Sequence, residues 1–214
     1  MKKLCIFDFD GTLFDSVDDV VVCFNKALTI YNLPTLTRDE YIGYLGGNID
    51  DIVSLVLKDK NTPENMEIIK KTYLDFYDSS EKPLSVPFPK SHNLLRELQE
   101  KNVLIAINSN RFTYSINHFV DKFFSDIDFF QIEGHNLGFP SKPDPYGANK
   151  IIKNANVSLD DVIYIGDSIT DIETAKNIGI DCVIVKWGYG VKTDWENDYI
   201  LDAIDDFSQI LDYF

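Results

Sequence analysis

The chain has 214 residues, of which 44% are hydrophobic, enough for one domain or a core domain carrying a modest insertion. Its formal net charge of −15 argues against nucleic acid or an anionic membrane as a general partner, although a bound cation and a few basic residues still leave room for a phosphate substrate. The three cysteines, Cys5, Cys23 and Cys182, lie far apart in apolar runs and read as buried free thiols, which suits a reducing cytoplasm.

The chain opens with an apolar run, Leu4 to Phe7, that stops at two carboxylates, Asp8 and Asp10, followed by Gly11 and Thr12. A short apolar run closed by a turn reads as a buried parallel strand, and ligands in open α/β sheets sit beyond the carboxyl ends of such strands. The same acids interrupt the apolar start too early for a signal peptide, and no apolar run is long enough to span a bilayer. Asp15 to Tyr31 is predicted helical, because Val17, Val20, Val21, Phe24 and Leu28 recur at three- and four-residue steps. After a break at Leu33-Pro34, Thr37-Arg38-Asp39-Glu40 carries the capping-box pattern. Gly43, Gly46, Gly47 and Asn48 mark a turn, and helices are expected over Ile49 to Leu57 and from Pro63 to about Tyr77. Residues 15–84 thus read as all-helical, and the proline-rich stretch 82–89 as a linker.

Beyond Pro89 the pattern alternates. Helices are predicted over Ser91 to Lys101, Thr113 to Phe123, Tyr146 to Asn154 and Asp171 to Asn177. Strands are predicted over Val103 to Ile107, Phe129 to Ile132, Val162 to Ile165 and Cys182 to Val185. Phe207, Ile210, Leu211 and Phe214 have helical spacing and should dock a last helix on the core. The expected architecture is α/β: a Rossmann-like parallel sheet flanked by helices (residues 1–14 and 85–214), with an inserted all-helical cap domain (residues 15–84).

Asp8 and Asp10 stand two apart on a strand and so point the same way. They repel unless a cation neutralises them or one is protonated. A hard divalent cation such as Mg2+ prefers oxygen ligands and keeps substrate phosphate in its shell; a carboxylate can also be a nucleophile and form an aspartyl-phosphate. Three later segments carry groups able to join them. Ser109 follows a strand and can donate to a phosphoryl oxygen. Lys142 sits in the rigid turn Ser141-Lys142-Pro143-Asp144-Pro145 and can offset developing charge. Asp167 ends another strand with Asp171 four residues on, suited respectively to direct and water-mediated cation binding. Singly, each also fits a plainer role as a turn carboxylate, strand-end hydroxyl, surface lysine or helix cap.

Together, Asp8-Phe9-Asp10-Gly11-Thr12, the Ser109 strand end, Lys142-Pro143-Asp144-Pro145 and Gly166-Asp167-Ser168-x-x-Asp171 resemble the four motifs of the haloacid dehalogenase-like (HAD) superfamily, in order and over nearly the whole chain. The helical insertion looks like that family's C1 cap. The Pro87-Phe88-Pro89 return, the Ser109-Asn110-Arg111 loop and Trp187-Gly188-Tyr189-Gly190 look most like phosphoglycolate phosphatase and its relatives. The resemblance implies a Mg2+-dependent phosphatase acting on a small organic phosphate monoester. Asp8 would attack phosphorus, and Asp10 would protonate the leaving oxygen and then activate water. Mg2+ would be held by the Asp8 carboxylate, the Asp10 backbone carbonyl and Asp167, with Asp171 in support. Ser109 and Lys142 would hold the transferred phosphoryl group. Gly11, Thr12, Asn110 and Arg111 would bind substrate, Arg111 either through the substrate's anionic remainder or merely as a solvated surface residue.

Asp10 points to phosphate chemistry, since haloacid dehalogenases need no second acid there. Asp18-Asp19-Val20-Val21 lacks the cap histidine of sugar-phosphate mutases, and Asp39 to Leu57 lacks the cap lysine of phosphonate hydrolases. His92, His118 and His135 share no spacing and read as surface or satisfied residues. A cytoplasmic monomer or homodimer acting on a small phosphorylated metabolite is expected, with no nucleic-acid or membrane partner. A sugar-phosphate phosphotransferase or mutase, and a catalytically silent binding module, stay open as alternatives.

Overall fold

A computed structural model describes residues 1–214. The chain divides into two compact units, residues 1–14 with 87–214 and residues 15–86.

The first unit begins with β1 (Leu4–Phe7), whose four residues are all fully buried. Burial on both faces explains why the run is uniformly apolar rather than alternating. At the ends of the inserted segment, β2 (Phe14–Asp15) and β3 (Val86–Pro87) pair as a two-stranded ribbon.

The second unit holds α1 (Val17–Ile30), α2 (Arg38–Ile42), α3 (Ile49–Leu57) and α4 (Pro63–Ser79). The capping boxes form: Thr37 and Glu40 exchange hydrogen bonds at the start of α2, and Asn48 and Asp51 do so at α3. Thr62 caps α4 just ahead of Pro63, whose missing N–H costs nothing in a first turn. Of the predicted apolar face of α1, Val17, Val20, Phe24 and Leu28 are buried and Val21 is half-buried, with Phe24 stacked on Tyr73 at a centroid distance of 3.8 Å. Asp19, buried within α1, accepts from Leu84 N (3.0 Å) and Ser85 Oγ (2.7 Å), tying the returning segment to the helix.

The first unit resumes with α5 (Ser91–Glu100), β4 (Leu104–Phe112), α6 (Thr113–Phe123), β5 (Gln131–His135), α7 (Tyr146–Ala155), β6 (Val162–Gly166), α8 (Ile169–Ile178), β7 (Asp181–Val185), α9 (Lys192–Trp195) and β8 (Asp202–Ile204). A 3-10 helix, Phe207–Tyr213, ends the chain where an ordinary last helix was expected. Six parallel strands form one sheet in the order β5-β4-β1-β6-β7-β8. Alternation splits the core: Cys5, Phe7, Ile105 and Ile107 pack with α5, α6 and the last 3-10 turn. Leu4, Ile6, Ala106 and Tyr164 pack with α7 and α8 on the opposite face. The architecture is therefore Rossmann-like α/β, as expected. β1 lies between β4 and β6, so the chain winds first to one side of it and later to the other. That reversal opens a crevice at the carboxyl ends of these three strands.

Candidate active site

Strand register brings the chemistry to that crevice. Phe7 pairs with Ile107 of β4 and Ile165 of β6, so Asp8, Ser109 and Asp167 all follow within two residues of one paired row. Asp8 N donates to Ile165 O at 2.8 Å, fixing the first acid against β6. Immediately downstream the chain turns back on itself. Leu13 N and Phe14 N both donate to Phe9 O, and Gly11 has φ +81°, a conformation that favours glycine.

Carboxylate oxygens of Asp8, Asp167 and Asp171 lie within 4.8 Å of one another, and all three residues are buried. Lys142 is buried with them, its Nζ 2.8 Å from Asp8 Oδ1 and 2.7 Å from Asp171 Oδ1. Only the second contact has hydrogen-bond alignment; Asp8 Oδ1 is a buried acceptor held by charge alone. Tyr164 lies beneath the ammonium, 5.9 Å from Nζ to the ring centroid. Asn110 grips the backbone of Lys142 at two points, accepting from its N (2.8 Å) and donating to its O (3.1 Å).

Three buried carboxylates face one ammonium. Two like charges about 4 Å apart cost about 4 kcal/mol even at an effective dielectric of about 20. The titration shifts reflect this. Burial pushes the Asp8 carboxyl up to about 7, with Lys142 opposing and Asp171 adding to the rise. Burial, then Asp171 and Asp8, push Asp167 well above the usual carboxylate range. Burial alone would lower Lys142, but Asp171 and Asp8 outweigh it and hold its ammonium charged. The site has one positive charge for three acids and otherwise offers only hard oxygen donors, which suits a divalent cation such as Mg2+.

The acids are not equivalent. Asp171 spends both oxygens on the protein: Oδ1 on Lys142, and Oδ2 accepting from Asp167 N (3.1 Å), Ser168 N and Ser168 Oγ (both 3.2 Å). It closes the capping box at the start of α8. Asp167 Oδ2 accepts from Tyr189 N at 2.6 Å. Asp10 stands apart from the trio: its carboxylate takes a two-point grip from Arg111, Nε to Oδ2 and Nη2 to Oδ1, each 2.8 Å.

Ser109 is buried, and its Oγ accepts from Arg111 N at 3.3 Å. Thr12 is fully buried with a hydroxyl that finds no protein partner, while Trp187 Nε1 donates to its carbonyl at 3.1 Å. Asp8, Lys142, Asp167 and Asp171 are thus brought together, whereas Asp10, two residues along the chain from Asp8, pairs with Arg111. Sequence reasoning missed the role of the 187–190 loop, whose contribution is a backbone N–H. The signal was present in its glycines: a Cβ on Gly188 would collide with Gly11 O and the Asp167 side chain, so only glycine lets Tyr189 N approach.

Residues 5–185 match the model of the haloacid dehalogenase-like hydrolases. A phosphoglycolate phosphatase of Aquifex aeolicus is 27% identical over 98% of this chain and 97% of its own length. One from Vibrio cholerae serotype O1 is 29% identical over 94% and 93%. Among solved structures, a provisionally assigned haloacid dehalogenase-like hydrolase from Bacteroides fragilis superposes with a TM-score of 0.91 at 25% identity, covering 98% of this chain and 100% of that one.

Proposed function

Because the chain belongs to the haloacid dehalogenase-like hydrolase family, we propose that it is a Mg2+-dependent phosphatase that cleaves a small phosphate monoester by way of a phosphorylated Asp8. The observation that carries this reading is the buried group of Asp8, Asp167, Asp171 and Lys142 at the sheet's reversal point. Similarity to phosphoglycolate phosphatases makes phosphoglycolate the first ester to try.

In the first step an Asp8 oxygen attacks phosphorus as the bond to the ester oxygen breaks. Asp10 gives its proton to that oxygen, so an alcohol leaves and the phosphate stays on Asp8. In the second step water attacks the same phosphorus, Asp10 takes the water proton, and the Asp8–phosphate bond breaks to release inorganic phosphate. Lys142 and Ser109 hold the phosphoryl oxygens, and Lys142 keeps Asp8 ionised enough to attack. Asp8, Asp167 and the Asp10 carbonyl would hold magnesium, with Asp171 fixing the backbone of Asp167 and Ser168. The ion, when bound, supplies positive charge that offsets the acids and the phosphoryl group.

The test is phosphate release from a panel of phosphoglycolate, sugar phosphates and nucleotides with Mg2+, using Asp8→Asn as the blank. Turnover that chelation abolishes is expected, together with a phosphate mass on the Asp8 peptide after acid quenching. Release equal to the Asp8→Asn blank for every ester would overturn the proposal.

A further inference from the structure

Asp10 is the fourth carboxylate at this edge of the sheet, and it has its own cation. Lys142 attends to Asp8 and Asp171, and Tyr189 N attends to Asp167. Arg111 binds Asp10 through two nitrogens, Nε and Nη2, on one edge of its guanidinium. The guanidinium is itself fixed: Nη1 donates to Ser115 Oγ at 3.0 Å, and the Phe119 ring lies 5.3 Å away. Its side chain is only 9% exposed, so this is no solvated surface pair. The backbone is arranged for it as well. The pairing of β4 with β5 shifts register between Asn108 and Phe112, and such an irregularity re-aims side chains beside active sites.

We propose that Arg111 is a positioning residue for Asp10: its two-point grip takes one lone pair on each oxygen, sets the plane of the carboxylate and keeps it away from the other three acids, so that the remaining lone pairs are held in one fixed direction, towards the ester oxygen that must be protonated. The inference rests on Asp10 being the general acid. A carboxylate gripped at one point rotates, whereas a planar fork fixes it, which a lysine ammonium cannot do. Lacking the grip, Asp10 would be drawn to any cation held by Asp8 and Asp167. Two steps are affected: the transfer of the Asp10 proton to the leaving oxygen as the phosphorus–oxygen bond breaks, and the uptake of the water proton by Asp10 as the phosphate leaves Asp8; only the first depends on the ester.

Leaving-group dependence isolates that step. A p-nitrophenolate leaves without help, while an alkoxide needs a proton. Single-turnover kinetics on p-nitrophenyl phosphate and on the most active alkyl phosphate of the panel should therefore separate. For Arg111→Ala, the rate of Asp8 phosphorylation is expected to fall about tenfold to a hundredfold further on the alkyl ester than on the aryl ester, while hydrolysis of the phosphorylated Asp8 slows equally for both. Arg111→Lys should recover only part of it. In an Asp10→Asn background, Arg111→Ala should cost nothing more on the alkyl ester. Equal losses of the phosphorylation rate on both esters, a rise in KM alone, or additive losses in the double variant would each overturn the inference. A separate outcome bears on the premise: if Asp10→Asn alone cleaves the alkyl ester like wild type, the general-acid reading fails. If Arg111→Ala does not fold, Ser115→Ala, which removes one anchor of the guanidinium, should show the same leaving-group bias at smaller size, and its absence would count against Arg111.

Discussion

At the scale of single residues, Lys142 decides whether the acids can occupy one place. Its ammonium is buried and is the one protein cation in contact with both Asp8 and Asp171. Removing one partner of a buried ion pair strands the other charge, at a cost of about 3–5 kcal/mol. Lys142→Met should accordingly lower the unfolding free energy read from urea titration in EDTA by that amount, and added Mg2+ should return part of it. A variant as stable as wild type in EDTA would show that the acids tolerate one another without the ammonium. The place of Asp8 was legible because an apolar run that stops at a turn has to end at a sheet edge. Lys142 was legible because prolines stiffen its turn. The grip of Arg111 on Asp10 was not, since the partners are separated by 101 positions and only register brings them together. Nor was the hydrogen bond from Tyr189 N, because a backbone donor leaves no side-chain signature.

Among elements, α2 shows how a short helix is held by its ends. Thr37 and Glu40 close the capping box, and Lys58 reaches Glu40 at 2.8 Å. The Lys58 hydrogen bond, followed by those from Thr37, holds the Glu40 carboxyl down at about 2. A carboxyl lowered in the folded state adds stability above its unfolded value, here 4.5, and loses it as pH falls through about 2. The pair is exposed, so the effect is small. Wild type should melt slightly above Glu40→Gln at neutral pH, and the gap should close towards about pH 2. A gap that does not change with pH would show that the carboxylate charge does nothing for the cap. Helices such as α1, α4 and α6 were readable because their period survives over several turns. β4 was cut short at Ile107 because its last residues, Asn108 to Arg111, are polar and serve the site instead of the core. β8 was missed because three residues beginning with an exposed aspartate carry no strand pattern. The final segment has the expected apolar spacing, yet it winds as a 3-10 helix, which that spacing alone does not distinguish.

On the scale of the whole molecule, the two units have separate apolar cores: one set of side chains lines the faces of the six-stranded sheet, and another joins α1 to α4. Regions with separate cores can open separately, each with its own free energy. The acids that would hold magnesium, Asp8 and Asp167, and Asp171 that fixes the backbone beside them, all belong to the sheet unit, at the ends of β1 and β6 and on α8. Binding energy should therefore be felt by amides whose exchange requires that edge to open. Tyr189 N donates to Asp167, Asp167 N and Ser168 N donate to Asp171, and Asp8 N donates to Ile165 O. At a Mg2+ concentration about a hundred times its dissociation constant, exchange at these positions should slow by about a hundredfold, equivalent to about 2.7 kcal/mol. Amides buried in the helical unit, such as Val53 and Tyr73, should exchange through openings of that unit alone and respond little. Native-state hydrogen exchange with and without Mg2+ reads both sets in one experiment. Equal slowing in the two units would mean that they open as one cooperative body, and no slowing at Tyr189 would mean that the ion does not bind at Asp167.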